Sequence, residues 1–192
     1  MSHFFAYMTR MKFIQRWGLM RNTLTENIQE HSLQVAMVAH MLAEIRNRVF
    51  DGDVDPARAA LLGIYHDCSE VITGDLATPI KCFNPDIKKE YKKIEHLAAE
   101  KIFKMIPEEL RESYEAMFFA KEEDGELHRI VKAADKLCAY LKCLEELQAG
   151  NNGFLKAERS IMASLMKMNM PEVTYFVEKF TPSFSLTLDE LN

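Results

Sequence analysis

Hydrophobic positions recur along this 192-residue chain with a helical period, and no run alternates like a strand for long. Over about Phe4 to Trp17, Phe4, Met8 and Met11 fall near one side with Phe5 and Ile14. That predicts a short amphipathic helix, ending at 16-RWGLMRN-22 where Gly18 marks a turn. The stretch 27-NIQE-30 announces a second helix, with Asn27 as N-cap and Glu30 completing a capping-box pattern. It continues through 31-HSLQVAMVAHMLAEI-45, where Val35, Val38, Leu42 and Ile45 form the stripe to be buried. In 55-DPARAALLGIYHDCSEVITG-74, Asp-Pro fits an N-cap followed by proline at the first helical position, and Gly74 fits the stop. One helix over that span places His66 and Asp67 in its last third. A loop, 74-GDLATPIKCFNP-85, follows, and 84-NPD-86 opens a long helix reaching about Met105. Pro107 starts 108-EELRESYEAMFFA-120, and the most periodic piece, 126–152, ends at Gly150. A last pair spans about Leu155 to Met168 and Glu172 to Phe180. The pattern predicts an all-α bundle forming one domain over residues 1–192, with no repeat or linker.

Composition narrows the function. Hydrophobic residues make up 48% of the chain, enough to fill a sizeable core. Lys and Arg total 24 against 29 Asp and Glu, so the net charge of −5 has the wrong sign for a nucleic-acid polymer. A small phosphorylated ligand needs only a few local cations and stays open. The N-terminal 1-MSHFFAYMTRMKF-13 is interrupted by His3, Thr9, Arg10 and Lys12 and reads as no signal peptide, and nothing approaches the roughly 18 apolar residues of a membrane span. The expectation is a cytoplasmic protein without a membrane partner. Cysteines 68, 82, 138 and 143 show no CxxC spacing and are read as reduced.

Candidate chemistry comes from charge on apolar faces. His31 shares a stripe with Val35 and Val38, and Asp135 lies four residues after Val131 and three before Cys138. The third helix ends its apolar run on His66 and Asp67. A carboxylate at such a position is costly unless paired or coordinated. Neighbours on a helix point about 100° apart, so His66 and Asp67 can share one ion only from the side, with His31 and Asp135 closing the shell. Two imidazoles and two carboxylates suit manganese, iron, cobalt or magnesium, and a structural zinc site less well. His3, His40, His96 and His128 are read as ordinary hydrogen-bonded core histidines, the methionines as core filler, and 88-KKEYKKIE-95 and 121-KEED-124 as solvated faces.

The ordered set His31, His66-Asp67, Asp135 resembles the HD superfamily of metal-dependent phosphohydrolases. The surroundings 16-RW-17, 21-RN-22, 25-TENIQEHSLQVAMVAH-40, 65-YHDCSEVITGDLATPIK-81, 137-LCAYLKCLEELQAGNN-152 and 183-SFSLTLDE-190 are similar to its bacterial 5′-deoxynucleotidases. The resemblance implies a helical HD-domain bundle, a homodimer, and hydrolysis of deoxyribonucleoside 5′-monophosphates in preference to ribonucleotides. It implies one divalent ion, cobalt favoured and manganese or another also suitable, on His31, His66, Asp67 and Asp135. It further implies Glu70 and Asp75 as essential acids, Arg16 orienting the phosphate, Trp17 beside the deoxyribose, and Asp75, Leu76, Ala77 and Thr78 as the nucleoside-contacting loop. His31, Asp67 and Asp135 thus face substrate as well as metal. Ala77 stands where a proline is expected.

On the helix expected here, Glu70 shares the face of His66 and Asp67 and can orient or deprotonate the attacking water. Arg16 offers a planar, bidentate phosphate clamp. Asp75 can accept from the sugar 3′-hydroxyl or assist proton transfer to the leaving oxygen. Trp17 can fill the space a ribose 2′-hydroxyl would take. Two rival readings remain: an HD phosphohydrolase on another nucleotide, and a non-enzymatic helical dimer module with a structural metal. A triphosphate would want more cations than Arg16, Lys81 and Arg21 supply. Phe118, Phe119 and 176-FVEKFTPSF-184 are apolar candidates for a dimer surface.

Overall fold

The computed structural model describes residues 1–81, 83–119, 121 and 124–191. Among them the regular structure is helical, and the one ladder contact is an isolated antiparallel bridge between Gln15 and Asn27. The helices are α1 (Phe4–Met8), α2 (Ile28–Val49), α3 (Pro56–Tyr65), α4 (Glu70–Thr73), α5 (Thr78–Lys81), α6 (Pro85–Phe103), α7 (Glu108–Phe118), α8 (Gly125–Gln148), α9 (Leu155–Met166) and α10 (Pro171–Phe180). No helix of the described residues is long and apolar enough to cross a membrane.

The core is built on α2, α3 and α8. The capping box forms: the Asn27 side chain accepts N–H bonds from Gln29 and Glu30 at 3.0 Å each, and the Glu30 carboxylate accepts from the Asn27 N–H at 3.3 Å. Val35, Val38, Leu42 and Ile45 are buried as their spacing requires, against Leu62 of α3 and Ile130, Leu137 and Leu141 of α8. Each such side chain contributes roughly 1.5–3 kcal/mol by leaving water. Gly63 lets α3 lie directly on α2, since a Cβ there would stand 2.9 Å from Ala36 Cα and 3.0 Å from Ala36 N. α9 packs on α8 and α10 on α2, and a second apolar cluster joins Phe4, Met8, Met11, Ile28 and Cys68 to Ile102 and Ile106.

Several expectations are corrected. The N-terminal helix stops at Met8, and residues Thr9–Phe13 form a 3₁₀ turn. Beyond it the backbone pairs with the start of α2: the Ile28 N–H donates to Ile14 at 3.0 Å and the Arg16 N–H to Glu26 at 2.9 Å. The turn expected at Gly18 is present, with the Met20 N–H donating to the Trp17 carbonyl at 2.8 Å, and Trp17 just before it takes φ 60°. The span 55–74 is two helices, because α3 ends at Tyr65 and residues 66–69 form tight turns with Cys68 bonded to Tyr65 and Glu70 to Asp67. The loop after Gly74 contains one helical turn, α5. His3, His40 and His96 are exposed rather than core, and His128 is half-buried. Asp124 is buried, not solvated, gripped by Arg58 through two bonds of 2.7 Å. Phe176 is core and Phe118 and Phe184 pack against core, while Phe119 is half-buried and Phe180 is exposed. Cys68, Cys138 and Cys143 are buried free thiols, while Cys82, Glu122 and Glu123 lie outside the described residues.

Candidate metal centre and nucleotide site

Three pieces of backbone bring the His and Asp residues together. His31, fully buried, projects from the first turns of α2 with Nε2 3.1 Å from Asp135 Oδ1 of α8 and 3.7 Å from Asp67 Oδ2. His66 caps the end of α3, and its Nε2 is 3.0 Å from Asp67 Oδ2. Asp67 follows in the tight turns of residues 66–69, where α3 has ended. The His66 Nδ1–H donates to the Gly63 carbonyl at 2.8 Å, which leaves Nε2 with its lone pair and no hydrogen-bond partner.

His31 Nε2 and Asp135 Oδ1 make a hydrogen bond, whereas the His66 Nε2 lone pair and the Asp67 carboxylate 3.0 Å away repel unless positive charge lies between them. Burial disfavours the imidazolium of His66, yet Asp67, Asp135 and the Gly63 carbonyl outweigh it and push the pKa up to about 9. Asp67 shows the complement: burial opposes its charge, and His66, His31 and Arg16 still hold it below the usual carboxylate range. Asp135, 38% exposed at its side chain, is likewise held down against burial, by His31 and His66. Ligand atoms of His31, His66 and Asp67 all lie within 4.8 Å of one another, and Asp135 adjoins them through His31. Donors bonded at about 2.1 Å to one ion stand about 3.0–3.4 Å apart in octahedral or tetrahedral sites. His31–Asp135 and His66–Asp67 fall in that range and His31–Asp67 is looser, so a divalent ion fits among His31, His66 and Asp67, with Asp135 beside them against His31.

The remaining site residues surround the centre. Glu70 is buried at the first position of α4, reached through a turn rather than along a shared helix face, and its Oε2 has no hydrogen-bond partner. Burial, with Asp67 and Asp75 nearby, pushes its pKa up to about 9. Gly74, at φ 72°, reverses the chain after α4, and its carbonyl accepts from the Tyr91 hydroxyl at 3.3 Å. Asp75 follows, its pKa raised chiefly by burial. Leu76 and Ala77 are half-buried and Thr78 is exposed at the start of α5. Arg16 is not a free clamp: Nη1 donates to Glu26 Oε2 at 2.6 Å while Nη2 faces Asp135 Oδ1 at 3.8 Å. Trp17 stacks obliquely on Phe154, with centroids 5.3 Å apart, and its left-handed backbone costs on the order of 1–3 kcal/mol.

Sequence reasoning overlooked Glu26 and the pair Lys142–Glu146. Glu146 accepts from Thr23 N–H at 2.9 Å, Thr23 Oγ1 at 2.8 Å and Asn151 Nδ2 at 2.7 Å, while Lys142 Nζ donates to the Leu24 carbonyl and to Glu146, both at 2.5 Å. The i,i+4 spacing of Lys142 and Glu146 was readable, but it ordinarily marks a solvated pair. Glu26 precedes the N-cap of α2 and belongs to no pattern that marks a site.

The family model described as 5′-deoxynucleotidase YfbR-like matches residues 3–184. A 5′-deoxynucleotidase of Vibrio cholerae serotype O1 is 54% identical over 191 residues, covering 100% of this chain and 98% of the relative. The 5′-deoxynucleotidase YfbR of Shigella boydii serotype 18 is 56% identical over 191 residues, covering 100% and 96%. Among solved structures, an HD-domain phosphohydrolase from Listeria innocua superposes with a TM-score of 0.81 at 19% identity, covering 95% of this chain and 88% of the other. The cyanophage S-2L HD phosphohydrolase DatZ, bound to dA and one catalytic Zn²⁺, superposes with a TM-score of 0.64 at 19% identity, covering 91% and 94%. These two likenesses establish a shared helical fold.

Proposed function

Because this chain belongs to the YfbR-like 5′-deoxynucleotidase family, we propose that it hydrolyses deoxyribonucleoside 5′-monophosphates to deoxyribonucleoside and phosphate, selecting against ribonucleotides. The observation that carries this reading is the convergence of His31, His66, Asp67 and Asp135 from α2, the end of α3 and α8 into a centre that demands positive charge. Those four residues hold one divalent ion, cobalt or manganese suiting the mixed nitrogen and oxygen donors. Bound there, the ion supplies charge against the phosphate and lowers the pKa of water.

Arg16 meets the phosphate with the guanidinium edge that Glu26 leaves uncovered, near Asp135. Glu70 holds the proton taken from the attacking water at its unpartnered Oε2, the position of that atom beside Asp67 being set by the turn at 66–69. Burial and the carboxylates of Asp67 and Asp75 favour its protonated form, and positive charge beside Asp67 would lower its pKa and favour the carboxylate that accepts the proton. The 5′-oxygen leaves toward Asp75, whose carboxyl either receives the sugar 3′-hydroxyl or protonates the leaving oxygen. Trp17 and the half-buried Leu76 and Ala77 close around the deoxyribose. Thr78 stands at the outer end of that loop.

A homodimer is the assembly we favour, supported by Leu33, Met37 and Met41, which form an exposed stripe at i, i+4 and i+8 on the outer face of α2. The free thiols of Cys68, Cys138 and Cys143 suit a reducing cytoplasm, and residues 1–192 are taken as one HD-type domain. The test is phosphate release from dAMP and AMP on metal-stripped protein resupplied with cobalt, manganese or magnesium. Metal-dependent hydrolysis of dAMP well above AMP is expected. Equal turnover of both would remove the sugar selection assigned to Trp17 and the Asp75 loop, and no turnover of either would refute the reading.

A further inference from the structure

We infer that Glu26 is a positioning residue for this reaction, a single carboxylate that sets Arg16, Trp17 and the metal ligand His31 in one fixed relation. The inference rests on the roles proposed above for those three residues. Oε2 accepts from Arg16 Nη1 at 2.6 Å and from the Trp17 indole N–H at 3.2 Å. Oε1 stands 3.9 Å from His31 Nδ1, a buried nitrogen without a hydrogen-bond partner. That distance is too long for a hydrogen bond, but it places the Glu26 carboxylate against the side of the His31 ring that faces away from Asp135 and Asp67.

The carboxylate is itself held firmly. The Glu26 carbonyl accepts the Arg16 N–H at 2.9 Å beside the Gln15–Asn27 bridge, and the next residue caps α2. Its side chain is 13% exposed, so water competes little for the bonds to Arg16 and Trp17. Trp17 sits in left-handed backbone that a tryptophan rarely adopts, and strained residues persist where their surroundings over-determine them. The indole bond to Glu26 is one such determinant, the Phe154 contact another.

A brace for the loop alone would be redundant. Glu146 and Lys142 already fasten it at Thr23 and Leu24, and Asn151 Nδ2 holds the Arg21 carbonyl at 2.7 Å. Loss of the Glu26 charge therefore leaves the loop folded and acts at the site, through the pointing of Arg16 and Trp17. Metal, phosphate and sugar recognition are aligned by one group that touches none of the reacting atoms.

The test is a double-mutant cycle of Glu26→Gln and Arg16→Ala on the manganese-loaded protein. Glu26→Gln alone is expected to lower kcat/KM for dAMP roughly 10–100-fold, mainly in kcat, and to narrow the preference for dAMP over AMP. In the Arg16→Ala background it is expected to cost clearly less than in the wild type, because the part exerted through Arg16 is already lost while the part exerted through Trp17 remains. Wild-type kinetics in Glu26→Gln, or losses that simply multiply, would overturn the inference. Should Glu26→Gln fail to fold, Glu26→Asp withdraws the carboxylate by one methylene and must show the same non-additivity. If the wild-type protein turns over neither nucleotide, the functional reading fails separately, and two other readouts judge Glu26. Trp17 is the sole tryptophan, so its emission in the metal-free variant should shift, and manganese affinity should fall about tenfold. No change in either would overturn the inference.

Discussion

Replacing Gly63 by alanine should damage the metal centre more than it damages the fold. The new Cβ would stand 2.9 Å from Ala36 Cα, 3.0 Å from Ala36 N and 3.3 Å from Val35 C, where ordinary contact begins near 3.4 Å. All three atoms are helix backbone and none can swing aside, so α2 and α3 must part by about 0.5 Å. α2 carries His31, and the Gly63 carbonyl holds His66 at 2.8 Å, so the displacement falls between the two imidazoles. A metal shell tolerates shifts of about 0.2 Å, and overpacking costs about 1–3 kcal/mol. Manganese affinity is therefore expected to fall tenfold or more, while Tm drops by roughly 2–10 °C. Titration of the metal-free protein with manganese, followed by paramagnetic resonance of the free ion, reads the first quantity, and calorimetry the second. A lowered Tm with manganese affinity within twofold of wild type would refute the claim that the α2–α3 spacing sets the ligand geometry.

Other substitutions separate the remaining roles. Glu70→Gln should keep manganese binding and fold while turnover of dAMP falls at least 100-fold, read by metal analysis beside phosphate release. Asp135→Ala should lose the ion, and unchanged metal content on purification would show that the assignment of this ligand is wrong. Away from the site, burial opposes the charge on Glu146, but Lys142, Thr23 and Asn151 outweigh it and hold its pKa at about 2, below the ordinary 4.5. Its contribution, roughly 3 kcal/mol, is complete above pH 4.5 and lost as pH falls toward 2. Glu146→Gln should therefore flatten the acid limb of the stability curve between those values, and an unchanged slope in urea titrations at pH 3 and 6 would contradict this.

The helices that carry the ligands were legible because their determinants are local. Asn27 and Glu30 cap α2 as their spacing says, and Gly150, at φ 83°, lies just past the end of α8. The set His31, His66, Asp67 and Asp135 was legible as charge on apolar faces, and the structure places His31, His66 and Asp67 close together with Asp135 against His31. What escaped was set by long-range pairing. The N-terminal helix ends early because residues 14–16 pair with 26–28, a contact invisible to periodicity. The break after Tyr65 has no proline or glycine at 66–69 to announce it. Glu26 gains its place only when the segment at Arg16 folds back onto the start of α2.

That break also assigns a carbonyl. In an unbroken helix the Gly63 oxygen would also accept the N–H of residue 67, and its bond to the protonated nitrogen of His66 would have to be shared. Helical regularity and metal binding thus compete for the same oxygen, and at residue 65 the chain gives up the first to supply the second. Any change that extends α3 by one turn, however favourable to the helix, would free the His66 ring to flip and bring its proton toward the ion.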